Sequence, residues 1–150
     1  MREAIRLSLS KMRGICGGPF GAVVVRRGKI IARGWNRVTS ANDPTAHAEI
    51  TAIRAACKKL ETFQLADCEI YTSCEPCPMC LAAIYWARIK KVFYAGTRKD
   101  AAGIGFDDEL IYRELARPVA RRKIPMKQLL HGEALKVFNE WRDKPDKVRY

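Results

Sequence analysis

A chain of 150 residues is the size of one domain and long enough to bury a real core. Its 28 Lys and Arg outnumber 16 Asp and Glu, for a formal charge of +12, a balance that suits a polyanionic partner such as RNA. No apolar run approaches the roughly 18 residues that a membrane span needs, which excludes a membrane partner. The opening "MREAIRLSLSKMRG" threads charge through its apolar residues and lacks a secretory core, so the chain is expected in the cytoplasm. The basic residues are scattered, with denser groups at Arg26-Arg27, Lys58-Lys59, Lys90-Lys91 and Arg121-Arg122-Lys123, and read first as solvated faces.

In chain order, Ile5, Leu9 and Met12 recur at helical spacing and predict a short amphipathic helix over 3–13. "GAVVVRRGKIIARGW" (21–35) holds two β-branched runs around Arg-Arg-Gly-Lys, a hairpin in which Gly28 takes the turn's positive φ. A loop "NRVTSAND" leads to a helix ending near Leu60, capped by Asp43 or Thr45 and stiffened at its entry by Pro44. "CEIYTS" (68–73), "PMCLAAIYWAR" (78–88) and "KVFYAG" (91–96) read as strand, helix, strand, which implies a parallel pair with a crossover. Beyond Gly96 the signals weaken. A loop leads to a short helix, "RKIPMKQLL" is a candidate last strand, "GEALKVFNEWRD" is helical, and 143–150 is a polar, extended tail. The pattern predicts one α/β domain over 1–150, a three-layer α-β-α sandwich with a mixed sheet of about five strands.

Six cysteines in a reducing compartment argue against a disulfide framework and direct attention to metal or thiol chemistry. Cys16, Cys57 and Cys68 read as small hydrophobes. Cys74, Cys77 and Cys80 are spaced by three; Cys77 and Cys80, at the start of a predicted helix, sit one turn apart and can point at one place. His47 begins the other helix. Two thiolates and an imidazole suit zinc and leave its fourth tetrahedral position to water, as a catalytic site requires, and Glu49 is near enough to His47 to work on that water as a proton shuttle. His47-Ala48-Glu49 followed by Pro76-Cys77-Pro78-Met79-Cys80 is the H-x-E, P-C-x-x-C signature of zinc-dependent base deaminases. The competing reading is a closed structural site with Cys74 as fourth ligand, which leaves Glu49 without a role.

With these residues in place the chain resembles the cytidine deaminase superfamily and, within it, the bacterial guanine deaminases. The resemblance runs over nearly the whole chain and is carried by "GGPFGAVVV", "NDPTAHAEITAIR", "YTSCEPCPMCLAAIYWAR", "GFDDELIY" and the C-terminal tyrosine. It implies a cytidine deaminase-like fold, one Zn2+ per subunit on His47, Cys77 and Cys80, and hydrolysis of guanine to xanthine and ammonia with Glu49 moving protons. It points to Asn36 and Asp108 as readers of the purine, with Phe20 and Trp86 walling the ring. It also implies a homodimer whose C-terminal tails cross, so that Tyr150 closes the neighbour's site.

Residue chemistry alone leaves Asn36 open as a loop cap, Asp108 as a helix N-cap, Phe20 and Trp86 as core, and Tyr150 as a frayed end. The alternative activity is a tRNA adenosine deaminase, which shares both motifs and would use the +12 charge, although acidic "GFDD" repels phosphate. An alternative of another class is a non-catalytic, zinc-stabilised interaction module. His131 has no helpful neighbours and reads as surface or satisfied core.

Overall fold

The structure, a computed structural model, describes residues 1–149; Tyr150 lies outside the described residues. Contacts divide the chain into two compact units, Met1–Asp108 and Glu109–Tyr150.

The first unit opens with α1 (Arg2–Arg13) and the hairpin β1 (Gly21–Arg26) and β2 (Lys29–Trp35). There follow α2 (Val38–Ala41), α3 (Ala48–Leu60), β3 (Cys68–Cys74), α4 (Pro78–Trp86), β4 (Lys91–Gly96) and α5 (Arg98–Ala102). The second unit holds α6 (Glu109–Ala116), a 3-10 turn at Val119–Arg121 and α7 (His131–Asp143).

The four described strands form one mixed sheet in the order β2-β1-β3-β4. β1 pairs antiparallel with both β2 and β3, while β3 and β4 run parallel, as a strand-helix-strand crossover requires. The candidate last strand at 122–130 is irregular: Pro125 has no N–H to give a ladder, and the flanking residues are charged and exposed.

β1 is one of the two interior strands, and its alternation separates two helical layers. Val23 is buried on one face, while Ala22 and Val24 join Ala48, Ala52, Ala56, Cys68, Ile70 and Ile84 in the core on the other. α1 packs on the sheet through Ala4 and Leu7, so the helix forms as predicted but with a different face inward. Ile5, Leu9 and Met12 stay largely exposed, and Gly21 of β1 is what admits the other face of the helix: a Cβ there would lie 2.3 Å from the Ala4 carbonyl oxygen. Tyr71 stacks on its register partner Phe93 at 4.6 Å between ring centroids, tying β3 to β4.

The approach of α3 to the sheet is what positions the site. A Cβ on Gly34 of β2 would lie 2.2 Å from the Ala48 carbonyl oxygen and 2.4 Å from the Ala52 nitrogen, so only glycine lets the first turn of α3 rest on β2. The Thr51 hydroxyl sits at the same contact, shared between the Ala48 carbonyl at 2.9 Å and the Trp35 carbonyl at 3.1 Å.

Entry into α3 differs from the expected cap. His47 is the N-cap residue, and Asp43 instead accepts from the backbone and hydroxyl of Thr45 at 2.8 and 2.6 Å. The Asp43-Pro44-Thr45-Ala46 turn absorbs the capping side chains one turn early, which leaves the helix N-terminus free for chemistry. Cys68 and Cys57 are core or core-packed, as their reading as small hydrophobes required. His131 is exposed at the start of α7.

Candidate active site

Two helix N-termini converge. His47 is the N-cap residue of α3 and Cys77 the N-cap residue of α4, with Pro78 at the first helical position and Cys80 in the first turn. Among the described residues, the ligand atoms of His47, Cys77 and Cys80 lie within 4.8 Å of one another, and His47 Nδ1 is 3.6 Å from each sulfur. Tetrahedral zinc with ordinary Zn–S and Zn–N bond lengths requires N···S edges of about 3.6 Å. The donor set therefore fits that ion both in geometry and in softness.

Cys74 is outside the cluster. Its thiol, 3.5 Å from the Thr97 carbonyl oxygen, donates there, and burial pushes its pKa up to about 11. Its sulfur is not among the three donor atoms that lie within 4.8 Å of one another, so among the described residues His47, Cys77 and Cys80 leave a fourth coordination position open.

The hydrogen bond between Cys77 and Cys80 moves the two thiols in opposite directions. Cys77 falls to about 4, first through its hydrogen bond with Cys80 and then through that with His47. The same contact with Cys77, followed by burial, pushes Cys80 up. His47 is raised by its hydrogen bond to Cys77 against the opposing effect of burial. The positive ends of α3 and α4 further favour negative charge here.

Glu49, the second residue of α3, is only 6% exposed. Burial raises its pKa. Its Oε2 lies 3.5 Å from Cys80 Sγ and its Oε1 3.3 Å from Thr72 Oγ1. A desolvated carboxyl beside a soft-metal donor set is suited to exchanging protons with a ligand bound there.

Asn36 follows β2 and is 5% exposed. Its Oδ1 accepts from the backbone nitrogens of Gly18 and Val38 at 3.1 and 3.2 Å. Both acceptances fix the amide orientation and turn Nδ2 away from these backbone nitrogens, so Nδ2 is the group left for a ligand. Gly17, at φ +148, makes this possible: a Cβ there would sit 2.1 Å from the Asn36 carbonyl oxygen. The sequence leaves Asn36 as both donor and acceptor; the tertiary contacts make it a donor.

Phe20 packs on the core and meets Phe106 edge to face at 4.9 Å between centroids. That contact anchors the loop bearing Asp108. Burial and then the Cys77 charge raise the Asp108 pKa, so Asp108 senses the cluster electrostatically. Trp86 is placed differently. It ends α4, nine residues or about 13 Å along the axis from Cys77, is 69% exposed, and borders a depression of about 430 Å³ with Ala82, Tyr85 and Arg88. His47, Cys77, Cys80 and Glu49 form one cluster with Asp108 in its electrostatic reach, and Asn36, whose backbone nitrogen donates to the Phe20 carbonyl, is joined through Phe20 and Phe106 to the loop bearing Asp108. Trp86 belongs to another surface, and Tyr150 is outside the described residues.

Sequence reasoning missed Thr72 and Phe106. Threonine is common in strands and carried no signal, and Phe106 was visible only as part of "GFDD".

Residues 1–96 match the family described as the cytidine and deoxycytidylate deaminase zinc-binding region. The chain belongs to that family. It is 55% identical to the guanine deaminase of Bacillus subtilis over 100% of this chain and 96% of that protein. The crystal structure of that enzyme superposes with a TM-score of 0.96 over 99% of this chain and 95% of the other. A guanine deaminase structure from Nitrosomonas europaea is 37% identical, with a TM-score of 0.68 over 71% of this chain and 62% of that one. A tRNA-specific adenosine deaminase of Aquifex aeolicus is 35% identical over 82% of this chain and 79% of its own length. The cytidine deaminase-like fold is thus established, and the chain is an enzyme of a zinc-dependent deaminase family. Among the described residues no helix is long and apolar enough to cross a membrane.

Proposed function

We propose that this enzyme hydrolyses guanine to xanthine and ammonia in the cytoplasm, with one zinc ion per subunit held by His47, Cys77 and Cys80. The observation that carries the reading is the buried Glu49 carboxyl beside a three-donor cluster whose spacing fits an open zinc site. Zinc, when bound, lowers the pKa of a coordinated water so that hydrolysis becomes accessible near neutral pH.

The chain's own groups do the rest. Glu49 accepts a proton from the attacking water at Oε2, the oxygen on the Cys80 side, and delivers it to the ring nitrogen beside the carbon under attack. It then takes the second proton from the hydroxyl now bonded to that carbon and gives it to the departing amine as the carbonyl forms. A C–O bond forms, the exocyclic C–N bond breaks, and guanine plus water becomes xanthine plus ammonia.

Selectivity follows from fixed polarity. Asn36 Nδ2 donates to a ring acceptor such as the guanine oxo group, and Asp108 accepts a ring N–H. Adenine would oppose its amino group to the Asn36 donor and leave Asp108 without that partner. The full-length identity to a protein named guanine deaminase supports this assignment. The identity to a tRNA-specific adenosine deaminase and the +12 charge favour the alternative, an adenosine in tRNA.

Ammonia release from guanine, adenine, cytosine, cytidine and an adenosine-bearing anticodon hairpin separates these readings. Turnover of guanine alone is expected. Turnover of the hairpin without guanine would move the assignment to RNA editing.

The proposal includes a homodimer in which residues 143–150 of one copy close the site of the other through Tyr150. Each unit supports it by exposing apolar side chains: Tyr85, Trp86 and Tyr94 in the first, Val137, Phe138 and Trp141 in the second. Phe20 walls the ring from within the chain, whereas Trp86, so far along α4, reaches a ring only across a subunit contact. Mixing a Glu49→Gln subunit with a Tyr150→Ala subunit is then expected to regain activity, since one site of the mixed dimer has both an intact Glu49 and an intact tail. No gain after subunit exchange would rule the crossing out.

A further inference from the structure

β3 alternates inward at Cys68, Ile70 and Thr72, which are 0%, 0% and 1% exposed. The first two are apolar members of the core. The third carries a hydroxyl at a position where a valine of the same shape would fill the space, and a buried hydroxyl must be hydrogen-bonded to be tolerated. Thr72 Oγ1 has two neighbours: the Cys74 carbonyl oxygen at 2.8 Å and Glu49 Oε1 at 3.3 Å. The single hydroxyl proton can be directed to the Cys74 carbonyl or to an ionised Oε1, and the hydroxyl lone pairs can receive a protonated Oε1. A hydroxyl can receive or give a hydrogen bond, so this contact accommodates Oε1 with or without a proton.

We infer that Thr72 is a positioning residue for the deamination reaction: it seats Glu49 Oε1 so that Oε2 stays directed to the Cys80 side of the cluster. The inference rests on the reading of Glu49 as the proton shuttle. The outer oxygen has to exchange protons at successive positions on water, ring and leaving group, and a carboxyl free to rotate would spend part of its time misdirected. Tethering the inner oxygen to a strand of the sheet restricts that rotation. The contact with Cys74 gives Thr72 a second, purely structural use at the end of β3, so the test has to separate the two.

Thr72→Val keeps the shape and removes the hydroxyl. In the zinc-loaded full-length enzyme it is expected to lower kcat by about 10- to 100-fold, the range for partners that orient an active-site group, with KM and bound zinc unchanged. Thr72→Ser, which retains the hydroxyl, is expected to restore most of kcat. In a Glu49→Gln background Thr72→Val should cost nothing further, because the group it positions is gone.

Wild-type kcat in Thr72→Val, or the same fold loss in both backgrounds, would overturn the inference; the second result would make the role structural. If the valine variant loses zinc or fails to fold, the serine variant decides: a loss there as large as that of Glu49→Gln overturns the inference, and near-normal kcat with an unchanged melting temperature upholds it. Full activity in Glu49→Gln would instead remove the shuttle on which the inference stands. An inactive Glu49→Gln beside an unaffected Thr72→Val would remove the inference alone.

Discussion

Glu49→Gln is expected to lower kcat by roughly 100- to 10,000-fold, the range for removing a positioned general acid-base group, while zinc and fold are retained. The amide matches the carboxyl in shape, fills the same buried position and can still hydrogen-bond Thr72. It cannot take a proton from water or hand one on. Because burial disfavours the ionised carboxyl, its replacement by a neutral amide should leave the melting temperature unchanged or raise it, as when a group held at a cost for chemistry is removed. Steady-state kinetics, zinc analysis and a thermal melt on the same preparation check this. Undiminished turnover would return the non-catalytic zinc module to first place.

The second large effect concerns the metal. Cys77→Ser or Cys80→Ser is expected to weaken zinc binding by more than about 100-fold, since replacing a direct ligand should exceed the effect of disturbing its outer partners, and to abolish activity. Chelation of the wild type should do the same reversibly, with recovery on adding zinc. Both are also expected to lower the melting temperature, because metal binding to the folded cluster stabilises it. Cys74→Ser is the discriminating control. Its thiol is engaged with the Thr97 carbonyl and is absent from the His47, Cys77 and Cys80 cluster. Zinc retention and activity in Cys74→Ser are expected; loss of one ion per subunit would make the site closed and structural.

Much of the site was legible because its motifs are local. Cys77 and Cys80 are one helical turn apart, and His47 and Glu49 belong to the start of a single helix, so helix geometry alone directs each pair. The hairpin and the β3-α4-β4 crossover were legible for a similar reason, since β-branched runs and turn residues act over a few positions. The inward face of α1 was not, because it depends on how closely Gly21 of β1 lets the helix approach the sheet. Nor was the α3 cap: Asp43 and Thr45 both suit capping, but they satisfy each other in the preceding turn.

What the sequence by itself determined is the chemistry on offer: a soft three-donor set, a carboxyl two residues from one donor, and the order of strands and helices that carries them. Local hydrogen bonding and side-chain periodicity suffice for that. Tertiary structure alone decided that Cys74 turns away, that Asn36 is a donor, that Thr72 touches Glu49 and that Trp86 lies far along α4. Each of these depends on distances between segments remote in the chain, and packing sets them: Gly34 admits α3 to the sheet and Gly17 admits the loop to Asn36. A side chain's polarity or reach is then fixed by whichever backbone groups that packing brings beside it.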